Sequence, residues 1–151
     1  MFKEIIHVGI TVTDIDRSIQ FYRDILGLTF KGEMTMEGDE TDKLFNMKNI
    51  KVRVAYLQSG GNLICPPVEL LQFYNTDTIN YKPMLNQVSI SEICFKTENI
   101  EEDYKNLQSK GVEFISEPQF FDLSSQSFGK SKAVYFKDPD GIVLELIEVI
   151  E

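Results

Sequence analysis

An internal repeat constrains the fold of this 151-residue chain more than any other feature of its sequence. Apolar residues recur at a spacing of 85 positions: Ile10 and Phe95, Ile15 and Ile100, Ile19 and Tyr104. Near the end of each half, the run VELL at 68–71 parallels the run LELI at 144–147. Such a repeat indicates two copies of one structural unit that bury their hydrophobic faces together.

The hydrophobic pattern predicts the same element order, βαβββ, in both halves. The expected strands are 4–12, 28–36, 50–58 and 68–74 in the first half, and 89–97, 112–116, 131–137 and 142–150 in the second. One helix is expected over about 14–26 and another begins at Asn99, because apolar residues recur there every three to four positions. Gly27 and Gly111 follow these helices and are typical of helix ends.

Two further stretches are predicted to be loops. Residues 37–49 are polar and should form a loop with a helical turn, and residues 117–130 form a loop with three phenylalanines, Phe120, Phe121 and Phe128. We expect these rings to fill a core or a dimer interface rather than to close over a ligand.

These elements predict an α+β fold in which two βαβββ modules in tandem form a shared concave sheet. We expect a single domain over residues 1–151, because this is the length of one ordinary domain. Module one covers about 4–74, a linker covers 75–88, and module two covers about 89–150. The apolar fraction of 42% is enough to build a core without disulfides or metals.

Charge and cysteine content narrow the classes of function. The net charge of −9 argues against a nucleic-acid partner, which would require clustered lysine and arginine. No apolar run reaches 18 residues, so we expect no membrane span, and the N-terminus does not resemble a signal peptide. Cys65 and Cys94 form no CxxC motif, which favours reduced thiols in a cytoplasmic protein.

The chain contains a single histidine, His7. A site that needs two imidazoles from one chain is therefore excluded, including the iron site of two histidines and one carboxylate and the zinc site of three histidines.

The repeat pairs four polar residues inside apolar strands. His7 matches Glu92 on the first strands, and Glu69 matches Glu145 on the last strands. Three buried carboxylates would repel one another strongly, and a divalent cation would remove that penalty. Alternatively, each glutamate lies on the solvent side of a half-buried strand. Glu148 is out of phase with Glu145 and is expected to be exposed.

Three segments of the chain carry a family resemblance: HVGITVTDIDRSIQFYRDILGL at the start, VELLQF in the middle and YFKDPDGIVLELIE at the end. They resemble the vicinal oxygen chelate superfamily, which includes glyoxalase I, methylmalonyl-CoA epimerase and the bleomycin resistance proteins. The resemblance extends from about residue 4 to residue 150. It implies a glyoxalase-like fold, and it implies a homodimer that acts on or binds a small molecule.

In the metal-binding members of this superfamily, the ligands come from the first and last strands of each module. By resemblance these positions are His7, Glu69, Glu92 and Glu145, although Glu92 replaces a histidine that is common in the superfamily. The implied cofactor is a divalent ion: Mn²⁺, Mg²⁺, Ni²⁺, Co²⁺ or Zn²⁺. Three carboxylates favour the harder ions, including Ca²⁺. Alternatively, Glu92 is a base rather than a ligand, or the site is empty.

The resemblance implies two functions of different classes. The first is a metal-dependent lyase or isomerase that moves a proton next to a carbonyl and stabilises an enolate, with Glu145 and Glu92 as catalytic residues. We do not expect the extradiol dioxygenase reaction, because its iron site requires two histidines and this chain has one. The second is a metal-free protein of the bleomycin-resistance type, whose acidic cleft binds a cationic ligand. The retained ligand residues favour the enzyme.

Overall fold

The computed structural model describes residues 5–59, 67–79 and 82–150. The chain divides into two compact units, Met1–Asn80 and Tyr81–Glu151, and each unit contains one four-stranded sheet and its helices. The predicted α+β class, with two repeated modules, is confirmed.

The described residues of the first unit form four strands and two α-helices, the first of which continues into a π-helical turn. They are β1 (Val8–Thr11), α1 (Ile15–Gln20), β2 (Thr29–Glu37), α2 (Asp39–Phe45), β3 (Lys51–Gln58) and β4 (Val68–Tyr74). The strand order in the sheet is β1-β4-β3-β2. Strand β1 runs parallel to β4, and the other neighbours are antiparallel.

The second unit repeats this topology. Its elements are β5 (Ile93–Lys96), α3 (Ile100–Ser109), β6 (Gln119–Leu123), β7 (Gly129–Lys137) and β8 (Val143–Ile150). The strand order is β5-β8-β7-β6, with β5 parallel to β8 and the other neighbours antiparallel. The position of each element in its sheet is therefore the same in both units.

The prediction misplaces the second strand of the second unit. Residues 112–116 form only a single bridge, between Phe114 and Phe136, whereas β6 lies within 117–130, which was expected to be a loop. All five residues of β6 are exposed. The strand is therefore held by its backbone pairing with β7, and a hydrophobic pattern gives no signal for it.

The turn between β6 and β7 depends on two residues with left-handed backbone conformations. Ser127 has φ 66° and Gly129 has φ 72°, which closes the hairpin after the short 3₁₀ turn Ser124–Gln126. The rings of Phe120, Phe121 and Phe128 are 56%, 45% and 81% exposed. The expectation that they fill a core is wrong, and their place in a dimer interface stays a prediction.

Side chains of the inner strand β4 alternate between the two faces of the sheet, and the two faces have different surroundings. Val68 and Leu70 are buried on the face that packs against α1. Glu69 and Leu71 point to the opposite face because successive side chains of a strand alternate. The same holds in β8, where Leu144 and Leu146 are buried and Glu145, which lies between them, points to the opposite face. Each sheet thus presents one glutamate on the face away from its first helix.

Each module secures the start of its first helix with a side chain from its last strand. Gln72 Oε1 accepts a hydrogen bond of 3.0 Å from the backbone N–H of Ile15, and Glu148 Oε2 accepts one of 2.9 Å from that of Ile100. Glu148 is therefore half-buried, and the expectation that it is exposed was wrong. The unsatisfied N–H groups at a helix start attract an acceptor, and a carboxylate also complements the helix dipole.

Together, α1 and the π-helical turn that continues it form a helical segment one residue longer than α3. Ile15 and Ile100 are 85 positions apart, but the glycines that follow the two helices, Gly27 and Gly111, are only 84 apart. The extra residue is accommodated by a π-helical turn, Phe21–Ile25, in which the N–H of Leu26 donates to the carbonyl of Phe21.

The role of Glu148 gives a test of this fold. We expect Glu148→Ala to lower the free energy of unfolding by about 1–2 kcal/mol, because the N–H of Ile100 loses its acceptor. Glu148→Gln should stay close to wild type, since Gln72 performs the same role in the first module. Urea denaturation measures both, with the exposed Glu98→Ala as control. Equal losses for Glu148→Ala and Glu98→Ala would contradict the assignment.

Candidate functional site

In the first unit, three neighbouring strands bring together the residues around Glu69. Glu69 lies on β4, and its register partners are Gly9 on β1 and Tyr56 on β3. His7 precedes Gly9 by two residues, so it belongs to the same side of the chain. The parallel pairing of β1 with β4 thus places two predicted metal ligands, His7 and Glu69, next to each other.

The two oxygens of the Glu69 carboxylate have different partners. Oε2 lies 3.3 Å from Nε2 of His7, and Oε1 accepts a hydrogen bond of 2.5 Å from the hydroxyl of Tyr56. The Glu69 side chain is only 13% exposed, whereas that of His7 is 40% exposed. The hydrogen bond to Glu69, then burial and the glutamate charge, raise the pKa of Tyr56 to about 12. The phenol therefore remains a hydrogen-bond donor at neutral pH.

The absence of a side chain at Gly9 makes room for this arrangement. A Cβ atom at Gly9 would lie 3.3 Å from Glu69 Oε2 and 3.3 Å from a methyl group of Leu71. Both distances are tighter than ordinary van der Waals contact. A larger residue at position 9 would therefore press on the carboxylate oxygen that faces His7.

In the second unit, the same register surrounds Glu145. Glu145 lies on β8, and its partners are Cys94 on β5 and Tyr135 on β7. Glu92 precedes Cys94 by two residues. The four positions thus correspond to those around Glu69, with Glu92 in place of His7 and Cys94 in place of Gly9.

Electrostatics show that both carboxylates of the second unit act on the same thiol. Cys94 is an exposed residue, but partial desolvation of its sulfur, followed by its interaction with Glu145 and the charges of Glu145 and Glu92, raises the pKa of its thiol to about 12. Burial and then the charges of Glu145, Glu92 and Cys94 also raise the pKa of Tyr135. The charges of Glu92 and Glu145 therefore both disfavour the thiolate of Cys94, and the thiol stays protonated at neutral pH.

Each unit offers donor atoms of the kind that a divalent cation accepts. In the first unit these are an imidazole nitrogen and a carboxylate oxygen, and in the second they are two carboxylates. Within neither unit do the described residues gather three or more histidine, cysteine, aspartate or glutamate side chains into a metal-binding group. The donor chemistry fits a divalent ion, with two of the four predicted ligands in each unit.

The two tyrosines are the part of the site that sequence reasoning missed. Each lies directly opposite the glutamate of the next strand, so its position follows from the pairing of two antiparallel strands. Tyr56 and Tyr135 are 79 positions apart, whereas Glu69 and Glu145 are 76 apart. The connection between the two strands is longer in the first module than in the second. The two tyrosines are therefore not separated by the same number of residues as the two glutamates, and a search at a constant spacing does not pair them. Alignment of the strands by register, rather than at a constant spacing, would reveal them.

The fold defines a class of protein in which a βαβββ module is duplicated. Both modules carry side chains that can bind a metal ion, and these side chains lie at equivalent positions. Residues 4–146 match the model of a family described as the Glyoxalase/Bleomycin resistance protein/Dioxygenase superfamily. The chain belongs to this superfamily, as its sequence resemblance implied.

Individual relatives cover nearly the whole chain. A probable lactoylglutathione lyase of Synechocystis sp. is 25% identical over 144 residues, which are 95% of this chain and 94% of that protein. The metallothiol transferase FosB of Staphylococcus saprophyticus is 30% identical over 146 residues, which are 97% of this chain and 77% of that protein. Superfamily relatives of this kind generally use a divalent metal and act on small molecules.

The fold has a close match among solved structures. A glyoxalase family protein from Bacillus cereus superimposes with a TM-score of 0.83 at 21% identity, covering 100% of this chain and 97% of that chain. This likeness supports the fold. Along the residues that the structure describes, no helix has both the length and the apolar character needed to cross a bilayer.

The environment of Cys94 predicts an unreactive thiol. In a Cys65→Ser background, we expect iodoacetamide to alkylate Cys94 at pH 8 at least about tenfold more slowly in the folded protein than in urea, because only the thiolate reacts. The rate should rise above pH 10, as the pH approaches the raised pKa. Adding Glu145→Gln should increase the rate at pH 8. A rate profile centred near pH 8.5 in the folded protein would contradict the expected environment.

Proposed function

We propose that the protein is a divalent-metal-dependent lyase or isomerase of the glyoxalase type, with His7, Glu69, Glu92 and Glu145 as metal ligands. The observation that carries the proposal is the pair His7 and Glu69, whose Nε2 and Oε2 atoms are 3.3 Å apart. A nitrogen and an oxygen donor at this separation suit two positions in the coordination shell of one ion.

The chemistry of the proposed reaction is proton transfer next to a carbonyl. A bound divalent ion supplies Lewis-acid stabilisation of the negative charge that develops on the substrate oxygens. Glu145 takes up or delivers the proton, and Glu92 is the second carboxylate available for this role. Cys94 donates no proton in this scheme, because its raised pKa keeps it protonated. The similarity to a probable lactoylglutathione lyase supports this reaction type.

The assembly and location are also proposals. Family enzymes often form dimers, and we expect a cytoplasmic homodimer with both cysteines reduced. The small-molecule substrate is expected to be a carbonyl compound or a thioester. A metal-free protein that binds a cationic ligand is the alternative, and the carboxylates of Glu69, Glu92 and Glu145 together with the net charge of −9 favour a cation in that case.

Metal binding is the first property to measure. Purified protein dialysed separately against Mn²⁺, Ni²⁺, Zn²⁺ and Mg²⁺ should retain a near-stoichiometric amount of the preferred ion, determined by mass spectrometry. His7→Ala and Glu145→Gln should each weaken binding by tenfold or more, because each removes a ligand. Glu98→Gln, which neutralises an exposed carboxylate of the second unit, is the matched control.

The outcomes separate the two functions. Retained metal together with deuterium uptake from D₂O next to the carbonyl of lactoylglutathione would support the enzyme. Unchanged metal content in both ligand variants would refute the ligand assignment. A protein that retains none of the four ions would support the binding protein, and cationic small molecules would then be the ligands to screen.

The identity of residue 92 gives a second prediction. Glu92→His restores the residue that is common in the superfamily and replaces a hard oxygen donor by an imidazole. We therefore expect the affinity for Zn²⁺ or Ni²⁺ to increase relative to that for Mg²⁺. Competition titrations with a metallochromic dye measure this preference, and Glu98→His is the control. An unchanged preference would show that Glu92 does not bind the ion.

A further inference from the structure

Tyr56 is a half-buried residue beside the two proposed metal ligands of the first unit, His7 and Glu69. Its hydroxyl donates a hydrogen bond of 2.5 Å to Oε1 of Glu69, which lies directly opposite on the neighbouring strand. Its ring meets the His7 ring edge-on, with 5.9 Å between the centroids and 60° between the planes. Tyr56 therefore contacts both proposed ligands of the first module.

These contacts distinguish the two carboxylate oxygens of Glu69. Oε1 is engaged by the phenol, whereas Oε2 faces His7 and the open space left by Gly9. A carboxylate held at one oxygen by a strong donor is restricted in rotation, and hydrogen bonds of this kind fix the orientation of metal ligands. Only Oε2 is then presented on the side of the imidazole nitrogen.

We propose that Tyr56 is a positioning residue that makes Glu69 bind a divalent ion through Oε2 alone. This inference rests on the proposed metal-binding function, and it adds a specificity determinant that is not itself a ligand. A carboxylate restricted to one oxygen suits small ions such as Mn²⁺ and Mg²⁺. Ca²⁺ accepts carboxylates through both oxygens and takes more ligands, so the phenol disfavours it.

The second module differs at this point. Tyr135 lies opposite Glu145 in the sheet, but among the described residues its hydroxyl makes no hydrogen bond to that carboxylate, and the nearest donor-type partner across the other strand is the thiol of Cys94. A thiol is a weak donor compared with a phenol. The Glu69 carboxylate is therefore more strongly constrained than the Glu145 carboxylate. We expect Tyr56, rather than a residue of the second module, to influence which ion is preferred.

The experiment compares Tyr56→Phe with wild type by calorimetric titration of Mn²⁺ and, separately, Ca²⁺. We expect Mn²⁺ affinity to fall about tenfold, as is typical when a ligand loses its hydrogen-bond partner. The ratio of Mn²⁺ to Ca²⁺ affinity should fall as well, because the freed carboxylate offers both oxygens. Tyr74→Phe is the matched control, since Tyr74 donates to Gln72 rather than to a proposed ligand, and it should bind both ions like wild type.

Infrared spectroscopy of the wild type gives a second readout that does not depend on the stability of Tyr56→Phe. The difference spectrum on adding Mn²⁺, corrected by that of Glu69→Gln, contains the carboxylate stretches of Glu69. A wide separation of the antisymmetric and symmetric stretches indicates coordination through one oxygen and supports the proposal. A narrow separation indicates coordination through two oxygens and overturns it.

The outcomes also separate this inference from the proposed function. If wild type binds Mn²⁺ and Tyr56→Phe shows the same affinity and the same ion preference, the role of Tyr56 is refuted and the metal function stands. If wild type binds none of the ions tested, the proposed function fails and the role of Tyr56 fails with it.

Discussion

The site of each module depends on one carboxylate held on a central strand, on the face away from the first helix. Glu69 and Glu145 are largely shielded from water, and an isolated charge there would be costly. Glu69 accepts a hydrogen bond from Tyr56 on one neighbouring strand and lies beside His7, which precedes the other neighbouring strand, so the sheet pairing and the polar site support each other. The register of β4 and β8 must therefore be kept, because a shift by one residue would turn the glutamate towards the helix.

The two modules share this frame but present different chemistry. The first has an imidazole beside a carboxylate, and a glycine gives the carboxylate room. The second replaces the imidazole by Glu92 and the glycine by Cys94, so that the charges of two carboxylates act on a thiol whose raised pKa keeps it protonated. The two modules thus differ at two equivalent positions of the site, whereas both keep a glutamate paired with a tyrosine on the neighbouring strand.

Much of the fold follows from the sequence because the repeat and the hydrophobic alternation are strong signals. The pairing of His7 with Glu69 was also implied before the structure, since both were assigned to one site. Strand β6 escaped prediction because it is stabilised by backbone hydrogen bonds to one neighbour and exposes all its side chains. Glu148 was misjudged because its partner, the N–H of Ile100, lies 48 residues away. Contacts of this kind depend on tertiary packing, which local periodicity does not encode.

The π-helical turn Phe21–Ile25 has a consequence for how such a chain tolerates change. An inserted residue normally rotates everything that follows it by about 100° around a helix axis. Here the wider turn absorbs the surplus within one helical segment, and Gly27 still ends the helix in the same way as Gly111. The strands beyond it keep their pairing, so Tyr56 and Glu69 still meet. The difference of one residue between the two helical segments is in this way confined to the helix, and the strands that carry Tyr56 and Glu69 keep the pairing that their counterparts have in the second unit.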